Sequence, residues 1–443
     1  MKTTSSLIIY TLLLFSASSV FGNGLSLNSI GPKALGMGGA YVGLANDYSA
    51  IFWNPAGLNQ VRAPQIGIFI TSVVPNGTYE FATYGIDAST KSNFYPCPGI
   101  LGYLPLFGGE KITAGLGFYV PAGLGAEWDG QDLVAFGGPA ELSPGVTNPF
   151  AGKTYEWMSS IGVFNFSPGI AYQISEKISV GAAVNIFYGM MDMKRAVDAL
   201  NVTTDPTSPI PGEDGMVDNQ YEESGSGMGI GFSLGLLAKP ADMLSIGLSL
   251  KTKNTVKFEG TAKNTAFQTL NAYESDYERD LAWPLWIGAG IALRPVNKLI
   301  LTADVQFSQW SDTQEKIVTE YKNAIWAGAM DEKARTMELN WEDKTQIRFG
   351  AQYQLTEMFA LRAGYYYDPA PAPDETINII FPSITYKAIT FGASCCLGKV
   401  NLDFGFEYLL GSDRDVAPSD KGNMPGIHGM DILAPSLGVS YSF

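Results

Sequence analysis

Acid–base or nucleophilic chemistry in this chain would have to pass through one histidine, His428, which stands in the glycine-flanked stretch Gly426-Ile427-His428-Gly429. No nucleophile motif lies near it, so a Ser/His/Asp site has no visible means of assembly. HExxH, P-loop and helix-opening GxGxxG patterns are missing, and the acidic stretches lack the spacing of a calcium loop. Three cysteines cannot staple 443 residues, and the neighbours Cys395 and Cys396 point to opposite faces if they lie on a strand. The residues therefore read as non-enzymatic, with no cofactor and no metal. A formal net charge of −15 argues against nucleic acid as a partner, because phosphate recognition needs clustered Lys and Arg.

What remains is chemistry of apolar contact. Phe187, Met190, Met191 and Met193 bring adaptable side chains into one segment, although neighbours on a strand alternate between faces. Trp128, Leu133, Val134, Phe136, Phe150 and Trp157 form a second apolar group in what reads as loop. Residues of this kind serve a hydrophobic small molecule, and the elements that carry them have to be identified next.

Those elements are strands. Leu299, Leu301, Ala303, Val305 and Phe307 alternate with Thr302, Asp304, Gln306 and Ser308, a period of two. The same pattern returns at Val400–Tyr408 and at Gln346–Leu355. Alternation alone also fits a soluble sheet with one wet face. Three features favour a transmembrane antiparallel β-barrel, an all-β fold. The segments approach the ~9–11 residues of a tilted membrane strand. Aromatic clusters at Tyr365–Tyr367, at Trp283 with Trp286, and at Trp310 read as interfacial girdles. The start of the chain, with Lys2, an apolar core over Leu7–Phe15 and a small-residue site at Gly22, reads as a signal peptide over residues 1–22. From about Pro64 onward roughly 14 strands are expected. Short turns such as Ser175-Glu176-Lys177 and Thr356-Glu357 would face the periplasm, and the polar stretches Asn201–Gly225, Thr261–Asp280, Gln314–Asp343 and Gly411–Gly429 would be outer loops. A loop helix is possible within Asn323–Met337.

Residues 23–62 break the pattern. Gly31-Pro32-Lys33-Ala34-Leu35-Gly36-Met37-Gly38-Gly39-Ala40 and Trp53-Asn54-Pro55-Ala56-Gly57-Leu58 suit a compact, turn-rich plug ahead of a barrel over residues 63–443. This block, with Asn54-Pro55-Ala56 as its most specific piece, resembles the hatch of the FadL/TodX family of outer-membrane fatty-acid and hydrocarbon transporters. The likeness extends in element order to the terminal Phe443, whose outward aromatic resembles the signal read by the barrel assembly machinery.

The resemblance implies a 14-stranded barrel, a monomer in the outer membrane of a Gram-negative cell, that passes long-chain fatty acids or other hydrophobic small molecules without an energy source. It also implies a lateral exit at a kink in the third strand, where Val120, Pro121, Gly123 and Gly125 stand; proline lacks the donor that a ladder needs. A fatty acid calls for an apolar pocket with a cation for its carboxylate. Arg195 matches the family's pocket arginine, and Lys316 falls within about one residue of its pocket lysine. Asn54, Phe187 and Met191 complete the expected ligand-binding set. Two other readings stand beside this one: a TodX-like channel for uncharged aromatics, and a general porin or surface adhesion barrel.

Overall fold

The computed structural model describes residues 24–60, 63–107, 111–137, 140–143, 145–147, 150–196, 218, 220–330 and 332–443; the expected signal peptide lies outside them. Fourteen strands follow one another as antiparallel neighbours: β1 (Gln65–Phe81), β2 (Tyr95–Leu106), β3 (Ile112–Trp128), β4 (Trp157–Ser175), β5 (Ile178–Ala196), β6 (Gln220–Ala241), β7 (Leu244–Lys251, continued by Asn254–Asn264), β8 (Glu274–Trp283, continued by Trp286–Val296), β9 (Leu299–Ser308), β10 (Lys344–Gln354), β11 (Phe359–Asp368), β12 (Thr385–Leu397), β13 (Val400–Ser412) and β14 (Gly426–Ser442). The barrel closes through β1, whose Gln65 faces Tyr103 of β2 on one side and Ser442 of β14 on the other.

Side-chain parity decides what each face meets. On β9, Leu301 and Val305 are 40% and 49% exposed, whereas Thr302, Asp304, Gln306 and Ser308 are buried inside. Ile66, Ile68 and Ile70 of β1 and Leu437, Val439 and Tyr441 of β14 repeat the exposed apolar face. Water would not tolerate an apolar band continued from strand to strand in this way, so its solvent is lipid. The band ends where outward side chains become ionic: on the outer part of β7 and β8, Lys257 pairs with Glu278 at 2.8 Å.

Parity also corrects the girdle. Trp283, Trp286 and Trp310 are buried on the inside, and of the tyrosine cluster only Tyr365 and Tyr367 point outward while Tyr366 is fully buried. Much of the expected loop Thr261–Asp280 is strand, since β7 runs to Asn264 and β8 begins at Glu274. In the stretch Gln314–Asp343 the helix is confined to Ala324–Ala329, and a short strand, Lys316–Tyr321, precedes it.

The N-terminal segment lies inside the cylinder. It contains two single-turn helices, α1 (Pro32–Leu35) and α2 (Ala50–Trp53), and a 3-10 stretch, Pro55–Gln60. Leu25, Ile30, Leu35, Met37, Tyr41, Leu44, Trp53 and Leu58 are all buried to 1% exposure or less. The wall admits this segment through glycine. A side chain at Gly181 or Gly235 would strike Pro55 and Asn54, one at Gly247 or Gly290 would strike Val42 and Gly43, and one at Gly350 or Gly364 would strike Met37 and Gly38. These glycines face one another across the ladder in pairs: Gly181 with Gly235, Gly247 with Gly290, and Gly350 with Gly364. The missing Cβ atoms bring wall and segment backbone to backbone, a close approach only glycine permits.

Two charged side chains fasten the segment. Asp304 Oδ2 accepts hydrogen bonds from the backbone N–H of Tyr41 and of Val42, both at 2.8 Å. Arg348 donates to the carbonyls of Asn28 and Gly38, both at 3.0 Å, and to Asn28 Oδ1. Charge-assisted bonds of this type contribute about 1.5–3 kcal/mol each when buried.

Gly235→Val and Gly364→Val should each lower thermal stability in detergent by about 1–3 kcal/mol through overpacking. Gly162→Ala, at a position where an added Cβ meets nothing within 4 Å, should be neutral. Equal unfolding midpoints for all three would contradict the role of the glycine belt.

Candidate functional site

The third strand loses its neighbour halfway along. β3 pairs with β2 from Leu106↔Ile112 up to Gly99↔Tyr119 and no further, and its ladder with β4 shifts register between Tyr119 and Ala122. Pro121 lies in the shift, where it removes a donor that a continuous ladder would require. The N-terminal segment supplies a substitute edge. Leu27 donates its N–H to the Pro121 carbonyl at 3.0 Å, Gly123 donates to the Leu25 carbonyl at 3.0 Å, and Ser26 faces Ala122 in an antiparallel bridge.

Two cavities meet at this contact. The first, about 90 Å³, lies in the lumen and is lined by Phe52, Trp53, Phe187, Lys251, Trp283 and Trp286 among others. The second, about 280 Å³, opens between β2 and the kink; Tyr95, Cys97, Val120, Gly123, Leu124 and Gly125 line it. Its lining continues onto Ser160, Gly162 and Phe164 of β4 and Met190 of β5, whose side chains lie on the lipid-facing parity of their strands. Ser26, Leu27 and Asn28 belong to both linings and therefore form the partition between them. Asn28 is in turn held by Arg348 and donates to Asp368 Oδ2 at 2.7 Å.

Lys251 projects inward from β7 and is the one charged residue among those lining the lumenal cavity. Its Nζ sits 3.3 Å from the centroid of the Phe52 ring and 4.4 Å from that of Trp286. No carboxylate within 4.0 Å pairs with it among the described residues. The lateral cavity has the opposite polarity, its charged lining residues being Asp368 and Glu407.

The residues singled out from sequence fall unevenly on this geometry. Val120, Gly123 and Gly125 line the lateral cavity, and Pro121 and Phe187 line the lumenal one. Asn54, Pro55 and Ala56 hold the N-terminal segment against the wall. Asn54 Nδ2 donates to the carbonyls of Val42 and Leu236, and Asn54 Oδ1 accepts from the Ala56 N–H. Met191 is buried under the Arg279 guanidinium, outside both linings. Arg195 stacks over Tyr221 at 5.7 Å, and Lys316 is exposed beside Glu332 at 3.5 Å; neither lines either of these two cavities. The reason is position along the strand. Arg195 is one residue from the end of β5, and Lys316 begins the short strand that follows Trp310, so both lie beyond the two cavities. Sequence reading missed Lys251, Arg348, Asp304 and Asn28. The first three carry a readable signal, a charge at inward parity within an apolar-alternating strand; Asn28 has none.

Comparison with known proteins agrees with this architecture. Residues 13–434 match the model of the family described as outer membrane protein transport protein (OMPP1/FadL/TodX). Outer membrane protein P1 of Haemophilus influenzae is 23% identical, the alignment covering 93% of this chain and 91% of that protein. A 47 kDa outer membrane protein of Pasteurella multocida is 24% identical, with 85% of each chain covered. Among solved structures, a Pseudomonas aeruginosa FadL homologue superposes with a TM-score of 0.76 at 16% identity, covering 95% of this chain and 100% of its own. The Pseudomonas putida toluene transporter TodX gives 0.72 at 16% identity, covering 94% and 99%. Fourteen strands closed in an antiparallel cylinder, an apolar outer band and a family match over nearly the whole chain lead to one conclusion: this protein belongs to the OMPP1/FadL/TodX family of outer-membrane transport proteins for hydrophobic compounds, and not to any family of enzymes.

Proposed function

We propose that the protein carries long-chain fatty acids from the cell surface into the lumen and then sideways into the outer membrane. The observation that supports this most is the cavity at the break between β2 and β3, which runs from Asp368 and Glu407 inside to Phe164 and Met190 on the lipid-facing side. A water-filled porin has no use for a hole in its wall; a molecule bound for the membrane does. In this reading residues 23–62 are the hatch, and Leu25–Asn28 is its moving part. Backbone hydrogen bonds at Leu25 and Leu27 hold that piece to the kink, each worth about 0.5–1.5 kcal/mol, and Arg348 and Asp368 hold its Asn28 end. The acyl tail drives passage, since each methylene withdrawn from water contributes about 0.8 kcal/mol and each apolar station on the path replaces the one before.

A second reading has an observation of its own. Phe52, Trp53, Trp283 and Trp286 line the lumenal cavity with rings, a surface suited to an uncharged aromatic. Under either reading closure of β1 onto β14 leaves the sheet without open ends, which supports a monomer, and the terminal aromatic Phe443 would be the feature that the barrel assembly machinery reads.

Gly162→Trp should obstruct the lateral cavity, which Gly162 lines and where an added Cβ meets nothing within 4 Å. Oleate uptake by proteoliposomes should then fall by at least about tenfold, a change of 1.4 kcal/mol in the barrier, while the folded barrel survives. Unchanged uptake would remove the lateral route.

Paired uptake assays separate the substrates. Labelled oleate should enter and be competed by other long-chain acids, whereas entry of toluene without oleate would replace the fatty acid by an aromatic. In planar bilayers the hatch should leave little steady ionic conductance, and a large open-pore current would favour a porin.

A further inference from the structure

The two cavities carry opposite charge, and that asymmetry has a direction. The lumenal cavity holds a single charged lining residue, Lys251, with its ammonium between the faces of Phe52 and Trp286 and no carboxylate beside it among the described residues. Ring faces attract an ammonium but do not neutralise it, so an anionic ligand would supply the counter-charge that no described carboxylate gives. A second donor is available there: Trp283 lines the same cavity, is buried, and its Nε1 has no hydrogen-bond partner. An ammonium and an indole N–H facing one cavity, among rings and neutral side chains such as Asn165, Asn254 and Gln306, form a receptor for a carboxylate.

The lateral cavity offers nothing comparable. Its charged lining residues are both acidic, and both already accept hydrogen bonds, Asp368 from Gln346 at 2.6 Å and Glu407 from the Tyr366 hydroxyl at 2.7 Å. Between these carboxylates and the lipid the lining is Val120, Leu124, Ile161, Phe164 and Met190, which accept a hydrocarbon chain. An anionic head placed in this cavity would meet two carboxylates and no lining cation, the Arg348 guanidinium lying behind Asn28 and over the Tyr366 ring.

We infer that a carboxylate amphiphile crosses this protein tail first: the head stays on Lys251 and Trp283 in the lumen while the hydrocarbon tail displaces Ser26–Asn28 and threads the break in the wall. The inference rests on the fatty-acid reading above and adds a polarity to it. Lys251 is then the residue that separates carboxylate amphiphiles from uncharged hydrocarbons of equal length. The head leaves the lumen last, after the tail is already solvated by lipid.

Photo-crosslinking of the purified full-length barrel in detergent tests the polarity. A palmitic acid bearing a diazirine at its methyl end should label Leu124, Ile161 or Phe164, and one bearing it next to the carboxyl should label Phe52 or Trp286. The reverse pattern, or the same pattern from both probes, would overturn the inference. Affinity provides the second arm. The parent should bind palmitate at least about tenfold more tightly than methyl palmitate. Lys251→Met should abolish that preference and still bind the ester, and Lys251→Arg should keep it; a preference intact in Lys251→Met would refute the anchor. Both arms read binding alone. Failure of lateral transport in the Gly162→Trp assay is therefore a separate result from failure of the polarity.

Discussion

Hydrocarbon offers no hydrogen bonds, and the backbone of this protein is arranged around that fact. Every strand inside the lipid band has a neighbour on each side, and closure of β1 onto β14 through the long ladder from Gln65↔Ser442 to Glu80↔Ile427 removes the last free edge. The rule is broken at one strand, β3, where pairing with β2 stops at Tyr119. Leu25 and Leu27 of the N-terminal segment repair part of the loss by pairing with Gly123 and Pro121. Leu25–Leu27 is thus bound to the barrel at the place where the barrel cannot satisfy itself.

Removal would be local, because the rest of the segment is held differently. Beyond Asn28 the contact is backbone against glycine, backed by Asp304 under Tyr41 and Val42 and by Arg348 under Gly38. These interactions are buried and charge-assisted, whereas Leu25 and Leu27 meet the kink through neutral backbone hydrogen bonds beside an open cavity. The gradient in attachment falls along the first few described residues. A molecule in the lumenal cavity touches the weak end, since Ser26, Leu27 and Asn28 line that cavity as well as the lateral one.

Much of this was legible in sequence. Alternation over Leu299–Gln309 and Val400–Tyr408 is enforced by lipid on one side and lumen on the other, so it identified strand and face, while the membrane needed the further signs of strand length and an export signal. Pro121 announced the kink because a ring nitrogen cannot donate wherever the strand ends up. The cation that faces the lumenal cavity was legible in parity but not in depth. Lys316 and Lys251 are both lysines after apolar strands, and only the number of residues between each and the membrane centre tells that one is exposed beside Glu332 while the other reaches the Phe52 ring. The aromatic girdle failed for a related reason: Trp283 and Trp286 sit at strand ends as girdle residues do, but on the inward parity. The glycine pairs were visible as residues, yet their meaning depends on ladder register, which a single sequence does not specify.

The claim on which the mechanism turns is that Leu25–Asn28 must leave the kink for a substrate to pass. Ser26 and Ala122 face each other between the two hydrogen bonds, a narrow antiparallel pair whose Cα spacing suits a disulfide. Ser26→Cys with Ala122→Cys, in a chain carrying Cys97→Ser, Cys395→Ser and Cys396→Ser, would lock that contact when oxidised and free it when reduced. Fatty-acid uptake by proteoliposomes should fall to background in the oxidised protein and return on adding reductant. Equal uptake in the two states would show that the route does not run through this partition.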